Sequence, residues 1–362
     1  MRPVSADWAG NGRPIRVVAF GGGRGLSASL RALRLLRTEV DLDITAVVTV
    51  GDDGGSSGRL RAERGGLPPG DLRQALVALT DPADPVARRL ADLLQFRFPG
   101  TDPQADPLAG HAVGNLLLCG LMEQTGDVVL ALDEARDMVR AAGRVLPMSR
   151  TPLSIEATVR GDDPARPDQV TTVRGQHAVA VSRGVVEDVR LIPAEPVAST
   201  EVIDAVGSAD WLVFGPGSWF TSVIPHLLVP DLAAAIAACE ARRLVTLNLA
   251  AELETAGLSL PDHLRALARY LPGLRVDVVL ADGRAVGDPI GVQSAAESLR
   301  ARVVLAPIAV ADGGPRHDPI ALASALHEVL RGRVLGGHDL GRSRAGGQVA
   351  GATDMGRSSA GG

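Results

Sequence analysis

The run "IRVVAFGGGRGLSASLRALRLL" (15–36), followed by "LDITAVVTVGDDGGSSGR" (42–59), decides the fold. "IRVVAF" is a short apolar run ending in glycines, and "LSASLRALRLL" has apolar residues at helical spacing. The β-branched "LDITAVVTV" comes next, so the unit reads strand, glycine turn, helix, strand. This is the βαβ opening of a parallel sheet, with a right-handed crossover. A glycine turn between a strand and a helix lets backbone N–H groups converge on an anion, and the helix dipole adds to the attraction. "GGGRGLS" has that placement. It lacks the dinucleotide fingerprint, because G-x-G-x-x-G beginning at Gly21 needs glycine at 26, where Leu26 stands. Taken alone, the loop is open to both a phosphate-binding and a structural reading.

The second loop, "VGDDGGSSGR", carries two carboxylates, two hydroxyls, an arginine and four glycines directly after an apolar strand. Carboxylates at a strand end are placed to bind ribose or sugar hydroxyls, or a divalent ion that bridges phosphates. The bland alternative is an Asp-Gly turn with solvated carboxylates. "GPGSWFTS" (215–222) is a third loop of the same kind. Three such strand ends suit a crevice at the carboxyl edge of a parallel sheet.

Further on, "PPGDLRQALVALTD" (68–81) and "HAVGNLLLCGLMEQTG" (111–126) read as helices, the second stopped by Gly126, with a Pro/Gly/Asp loop (98–110) between them. His111 could donate to a phosphate or cap its helix. Asn115, four residues on and on the same helical face, could face ligand or serve core hydrogen bonding. From 144 to 195 the texture turns to short β-like runs, "PLSIEATV", "QVTTV", "AVAVS" and "VEDVRLIP", which suggests a small β-rich insertion. Strands are then expected within 209–218, 244–250, 274–282 and 301–308, with a last helix at 318–330. Arg316 and His317 of "GPRHDP" stand at its anion-friendly N-terminal edge, and Asp318 reads as its N-cap. The expectation is a doubly wound, mostly parallel α/β Rossmann-like sheet in a single domain, 15–331. Residues 1–14 and the Gly/Ser/Arg-rich tail 332–362 are expected to be disordered.

Composition narrows the chemistry. Aromatic residues make up only 2% of the 362, so the core must be built of Val, Leu, Ile and Ala, as a parallel sheet buried on both faces requires. Rows of stacking aromatics for single-stranded nucleic acid are not available. A net charge of −5 opposes general polyanion binding. All 37 bases are Arg, which removes the Walker lysine and any Schiff-base lysine. Cys119 and Cys239 read as core thiols in a reducing compartment. "MRPVSADWAGNGRP" has no apolar signal region, and no apolar run reaches bilayer length, so a cytoplasmic protein without membrane insertion is expected. There is no G-x-S-x-G elbow, and no zinc-type ligand spacing.

Together the segments resemble one bacterial family, the gluconeogenesis factors of the YvcK type, nucleotide-sugar-binding proteins related to 2-phospho-L-lactate transferase. The resemblance runs from about Ile15 to Leu330. It rests on "GGGRGLS", "DITAVVTVGDDGGSSGRLR", "LPPGDLRQALVAL", "GHAVGNLLL", "GRVLP", "GPGSWFTSVIPHLLVPDL", "SLPDHLRAL" and "RHDP". It implies a UDP-sugar ligand, UDP-N-acetylglucosamine foremost, and a regulatory role in cell-envelope and cell-shape control or central carbon metabolism. It leaves room for protein partners in envelope synthesis and for a homo-oligomer. Carried over by position, Gly21, Gly22, Gly23 and Gly25, with Leu26 and Ser27, would cradle phosphate. Asp52, Asp53, Gly54, Gly55, Ser56 and Arg59 would face the ligand, together with His111 and Asn115. Gly215, Gly217, Ser218 and Thr221 would close the site, Asn248 would contact it, and Arg316 would supply charge for the pyrophosphate. The alternative is a transferase of the sibling type, with Mg²⁺ held alongside a bound nucleotide. This chain departs from the family pattern in two places: Arg24 stands where relatives usually have Thr, and "NLAAELET" (248–255) replaces N-x-M-T-Q-x-G-E-T.

Overall fold

Strand β1 (Ile15–Gly21) leads through helix α1 (Gly23–Leu36) to β2 (Leu42–Val48), and the two strands pair in parallel, as the opening periodicity predicts. The computed structural model describes residues 12–331, apart from 101, 103, 251–252 and 256–257. The two segments expected to be disordered therefore lie outside the described residues, save for 12–14. The chain continues through α2 (Gly55–Arg64), α3 (Pro69–Leu79), α4 (Pro85–Gln95), α5 (Val113–Thr125), α6 (Val128–Val139) and β3 (Arg144–Pro147). Next come β4 (Ser154–Arg160), β5 (Val170–Arg174), α7 (Gln176–Val181), β6 (Val185–Ile192), α8 (Thr200–Ser208) and β7 (Trp211–Phe214). The described chain closes with α9 (Pro230–Ala238), β8 (Arg242–Thr246), α10 (Leu260–Tyr270), β9 (Val278–Asp282), α11 (Pro289–Ser298), β10 (Arg302–Ala306) and α12 (Pro319–Leu330).

Seven strands form one parallel sheet in the order β10-β9-β8-β7-β1-β2-β3. Alternate residues of β1 enter separate cores, Val18 and Phe20 on one face and Val17 and Ala19 on the other. A strand buried on both faces reads as an uninterrupted apolar run, and this is why "IRVVAF" shows no alternation. The α/β, doubly wound expectation describes the molecule.

The stretch 144–195 is divided between two sheets. β3 is the edge strand of the main sheet, whereas β5-β4-β6 form a separate antiparallel sheet. "AVAVS", expected as a β-like run, lies largely in the short helix α7 instead. The override is tertiary: Gly175 takes a left-handed φ of 97°, and the Asp53 carboxylate accepts the His177 N–H at 2.9 Å, starting a helix where propensity favours a strand. The segment "GGSSGR", taken as loop, begins α2. Asp318 is the N-cap of α12, accepting from the amides of Ile320 (2.8 Å) and Ala321 (3.1 Å).

Candidate functional site

Strand order reverses between β1 and β7, which are neighbours although their helices lead to opposite wings of the sheet. A crevice opens at such a switch point, outside the carboxyl ends of the strands. The turns after β1 and β7 interlock there. A Cβ on Gly25 would collide with the Pro216 carbonyl oxygen and the Gly217 Cα, so only glycine permits this approach. The Ser29 hydroxyl donates to Gly215 O at 2.9 Å and fastens α1 to the second turn. Asn248, just beyond β8, grips the same turn from the other side: its amide nitrogen donates to Gly217 O at 2.9 Å, and its oxygen accepts from Gly217 N at 2.8 Å. Both ends of that amide are thus engaged by protein. Thr221 is buried in the π-helical turn Trp219–Val223 that follows.

Helix α1 starts at the mouth of the crevice. Its N-cap is Gly22, with no side-chain cap and no acidic residue in the first turn. A Cβ on Gly22 would lie 2.5 Å from Asp71 Oδ2, 2.6 Å from Thr49 Oγ1 and 3.3 Å from Ser222 Oγ, so three oxygen-bearing side chains from α3, the β2 end and the β7 end converge on this bare backbone. Asp71 is buried. Loss of hydration, and then the charge of Asp52, push its carboxyl up to about 7, while hydrogen bonds from the Gly23 amide and the Thr49 hydroxyl and the charge of the Arg73 guanidinium oppose them. Sequence reasoning missed Asp71, because an Asp in the first turn of a helix has an ordinary explanation.

Asp52 Oδ1 accepts its own loop's Gly54 N–H at 3.0 Å, and Oδ2 faces Gly70, next to Asp71. His111 and Asn115 are brought together through Ser56. The Ser56 hydroxyl meets His111 Nδ1 at 3.0 Å and accepts from the Asn115 amide at 2.9 Å, while the Asn115 oxygen accepts from Arg73 Nε at 2.8 Å. Arg73 in turn bonds Gln95. All of Ser56, His111, Asn115 and Arg73 are buried; desolvation lowers the His111 pKa and takes that of Arg73 down to about 10. This network braces the acidic loop from behind. Arg59 donates to Ala109 O at 2.5 Å. Asp53 is engaged by α7. Arg316 is exposed after the edge strand β10 and pairs with Asp312 at 2.6 Å; it makes no contact with the glycine turns among the described residues. His317 reaches back to Leu247 O at 3.2 Å.

Among the described residues no group of three or more His, Cys, Asp or Glu side chains could hold a metal ion. The Asp52–Asp71 pair fits one case, a Mg²⁺ that completes its shell with ligand phosphates and water. A cavity of about 740 Å³ lies at the opposite, amino edge of the sheet, lined by Arg16, Arg37, Arg136 and Arg144 with Glu201 and Asp204. Several of these charges already neutralise partners, as Arg144 does Asp133 at 2.7 Å and Glu201 does Arg150 at 2.6 Å. The crevice at the carboxyl edge, with its two interlocked glycine turns and converging oxygens, is the stronger candidate.

Comparison with known proteins identifies the family and the fold. The family model described as "2-phospho-L-lactate transferase CofD" matches residues 17–304. Relatives that carry the gluconeogenesis-factor name include one from Mycobacterium tuberculosis, 49% identical over 86% of this chain and 90% of its own. Another, from Bacillus subtilis, is 33% identical over 80% of this chain and 85% of its own. The crystal structure of a UPF0052-family protein from Bacillus halodurans superposes with a TM-score of 0.74 at 32% identity, covering 87% of this chain and 99% of that one. This chain belongs to the 2-phospho-L-lactate transferase CofD family, among its gluconeogenesis factors of the YvcK type.

Proposed function

We propose that this chain is a cytoplasmic regulatory factor that binds a nucleotide sugar, UDP-N-acetylglucosamine first, at the β1–β7 crevice, and that it serves envelope synthesis and central carbon metabolism. The observation that carries the reading is the meeting of two interlocked glycine turns at the start of α1, where the N-cap is a glycine and Asp71 takes the Gly23 amide, because the remaining backbone amides at a helix N-terminus suit a pyrophosphate. The acidic loop beside it supplies acceptors for ribose or sugar hydroxyls through Asp52. The relatives' shared name supports the link to carbon metabolism. No single described helix is long and apolar enough to cross a membrane, in keeping with a cytoplasmic location.

A transferase reading draws on the Asp52–Asp71 pair. These carboxylates would hold Mg²⁺ across the phosphates, where the ion would offset charge on the transferring group. One experiment separates the two readings. The protein is incubated with UDP-N-acetylglucosamine, UDP-glucose, GDP or NAD, with and without Mg²⁺, and both melting temperature and ligand consumption are followed. Stabilisation by the UDP-sugar without consumption is expected, since a ligand bound only by the folded state raises stability by mass action. Mg²⁺-dependent consumption would establish the transferase instead, and no stabilisation by any UDP-sugar would remove the nucleotide-sugar reading.

A further inference from the structure

Helices α4, α5 and α6 pack against one another and leave apolar side chains open to solvent on their outward face. α4 turns Ala87, Ala91 and Leu94 to the core, a stripe at helical spacing, while Leu93 and Phe96 at its end are each 51% exposed. On α6, Leu130 (50% exposed) and Met138 (46%) stand about two turns apart on one exposed face. The stretch "NLLLCGLM" of α5 is apolar almost all round, yet Gly114, Asn115 and Leu118 alone are buried in that helix. A helix of that composition is ordinarily covered on every side, and neighbouring exposed apolar side chains mark a contact surface. The charges on the same face are of both signs. Arg88 and Arg89 of α4 and Glu134 of α6 are exposed and make no ion pair among the described residues. Asp92, one turn on from Arg88, offsets that arginine and leaves Arg89 as the free cation of the helix. Other charges of the two helices are held within the chain: Arg136 by Asp137 at 2.7 Å, Asp133 by Arg144 at 2.7 Å, and Asp84, the N-cap of α4, by Arg140 at the end of α6 at 2.8 Å. This last pair sets the start of α4 beside the end of α6, and Arg89 and Glu134 both lie within about two turns of it. A face with one free cation and one free anion flanking apolar side chains is complementary to itself under a two-fold rotation.

We propose that this face docks a second copy of the chain, with α4 of each protomer over α6 of the other. Leu93, Leu130 and Met138 close the seam, and Arg89 faces Glu134 of the partner subunit. A two-fold axis running along the seam makes that contact twice, so the apolar side chains supply the burial and the two charge pairs fix the register.

Sedimentation velocity on the full chain, from low to high micromolar concentration, tests the proposal. The parent should move between 37.4 kDa and twice that mass as concentration rises. Leu93→Glu should hold the chain as a monomer with its circular dichroism unchanged, since a half-exposed side chain tolerates a charge in the free protomer. Arg89→Glu and Glu134→Arg should each weaken association by roughly tenfold or more, because like charges then meet in both pairs. Mixing these two variants should bring the dimer back to within about threefold of the parent's affinity, since opposite charges meet in both pairs of the mixed species. An effect confined to one chain would not recover on mixing. A parent that stays monomeric throughout, a dimer that Leu93→Glu leaves intact, charge variants that associate as tightly as the parent, or a mixture that fails to recover would each overturn the proposal.

Discussion

Asp71 has the most consequential environment of any single side chain in the crevice. Its carboxyl stands at about 7 in the fold against 3.8 as an ordinary aspartate, chiefly through burial. Between those values the folded state holds a proton that the unfolded state has released. Stability is therefore fully present below about 4 and falls as pH rises towards about 7, by at most about 4 kcal/mol. Asp71→Asn removes the ionisation, so this variant should melt well above the parent at pH 8 and alongside it at pH 4. Melting curves at the two pH values check this; coincident curves at pH 8 would mean that Asp71 ionises without penalty. Residues such as Asp71 and Thr49 were illegible in the sequence because their significance is burial beside Gly22, which only the packed fold creates. Asn248, expected at the site from the sequence, stands in the turn cluster, where the fold engages both ends of its amide in holding Gly217.

Helix α7 shows how one element can depend on a residue far away in the chain. It has no side-chain cap of its own, and its His177 N–H donates to Asp53, 124 positions earlier. Asp53 therefore docks the antiparallel sheet onto the acidic loop, and Gly175 gives the carboxylate room. Asp53→Ala should cost about 0.5–2 kcal/mol, the usual worth of a cap. The loss should appear as faster hydrogen exchange across 176–181, with α12, capped by its own Asp318, unchanged. Unaltered exchange in α7 would show that the carboxylate contributes nothing to the helix. No local signal announces such a partnership, and "AVAVS" taken alone looks like a strand. Where caps are local, as at Asp318, the sequence was sufficient.

At the scale of the whole molecule, the chain's early pattern was enough to set the architecture. The strand, glycine turn, helix, strand opening and the later glycine turn at 215–217 place two loops at the point where strand order reverses, and the sheet has that order. Arg316 was harder to place, because its role depends on where the loop after the edge strand β10 comes to rest; there it is exposed and paired with Asp312. The split of 144–195 between two sheets was hidden for the same reason, as edge pairing is a long-range contact. The central claim is that ligand binds where the two glycine turns meet and not in the cavity at the amino edge. Hydrogen–deuterium exchange with saturating UDP-N-acetylglucosamine tests this most directly. Added protection is predicted in peptides covering 21–27, 49–57 and 215–222. Protection confined to 136–144 and 201–208, around the opposite cavity, or no change anywhere, would contradict it.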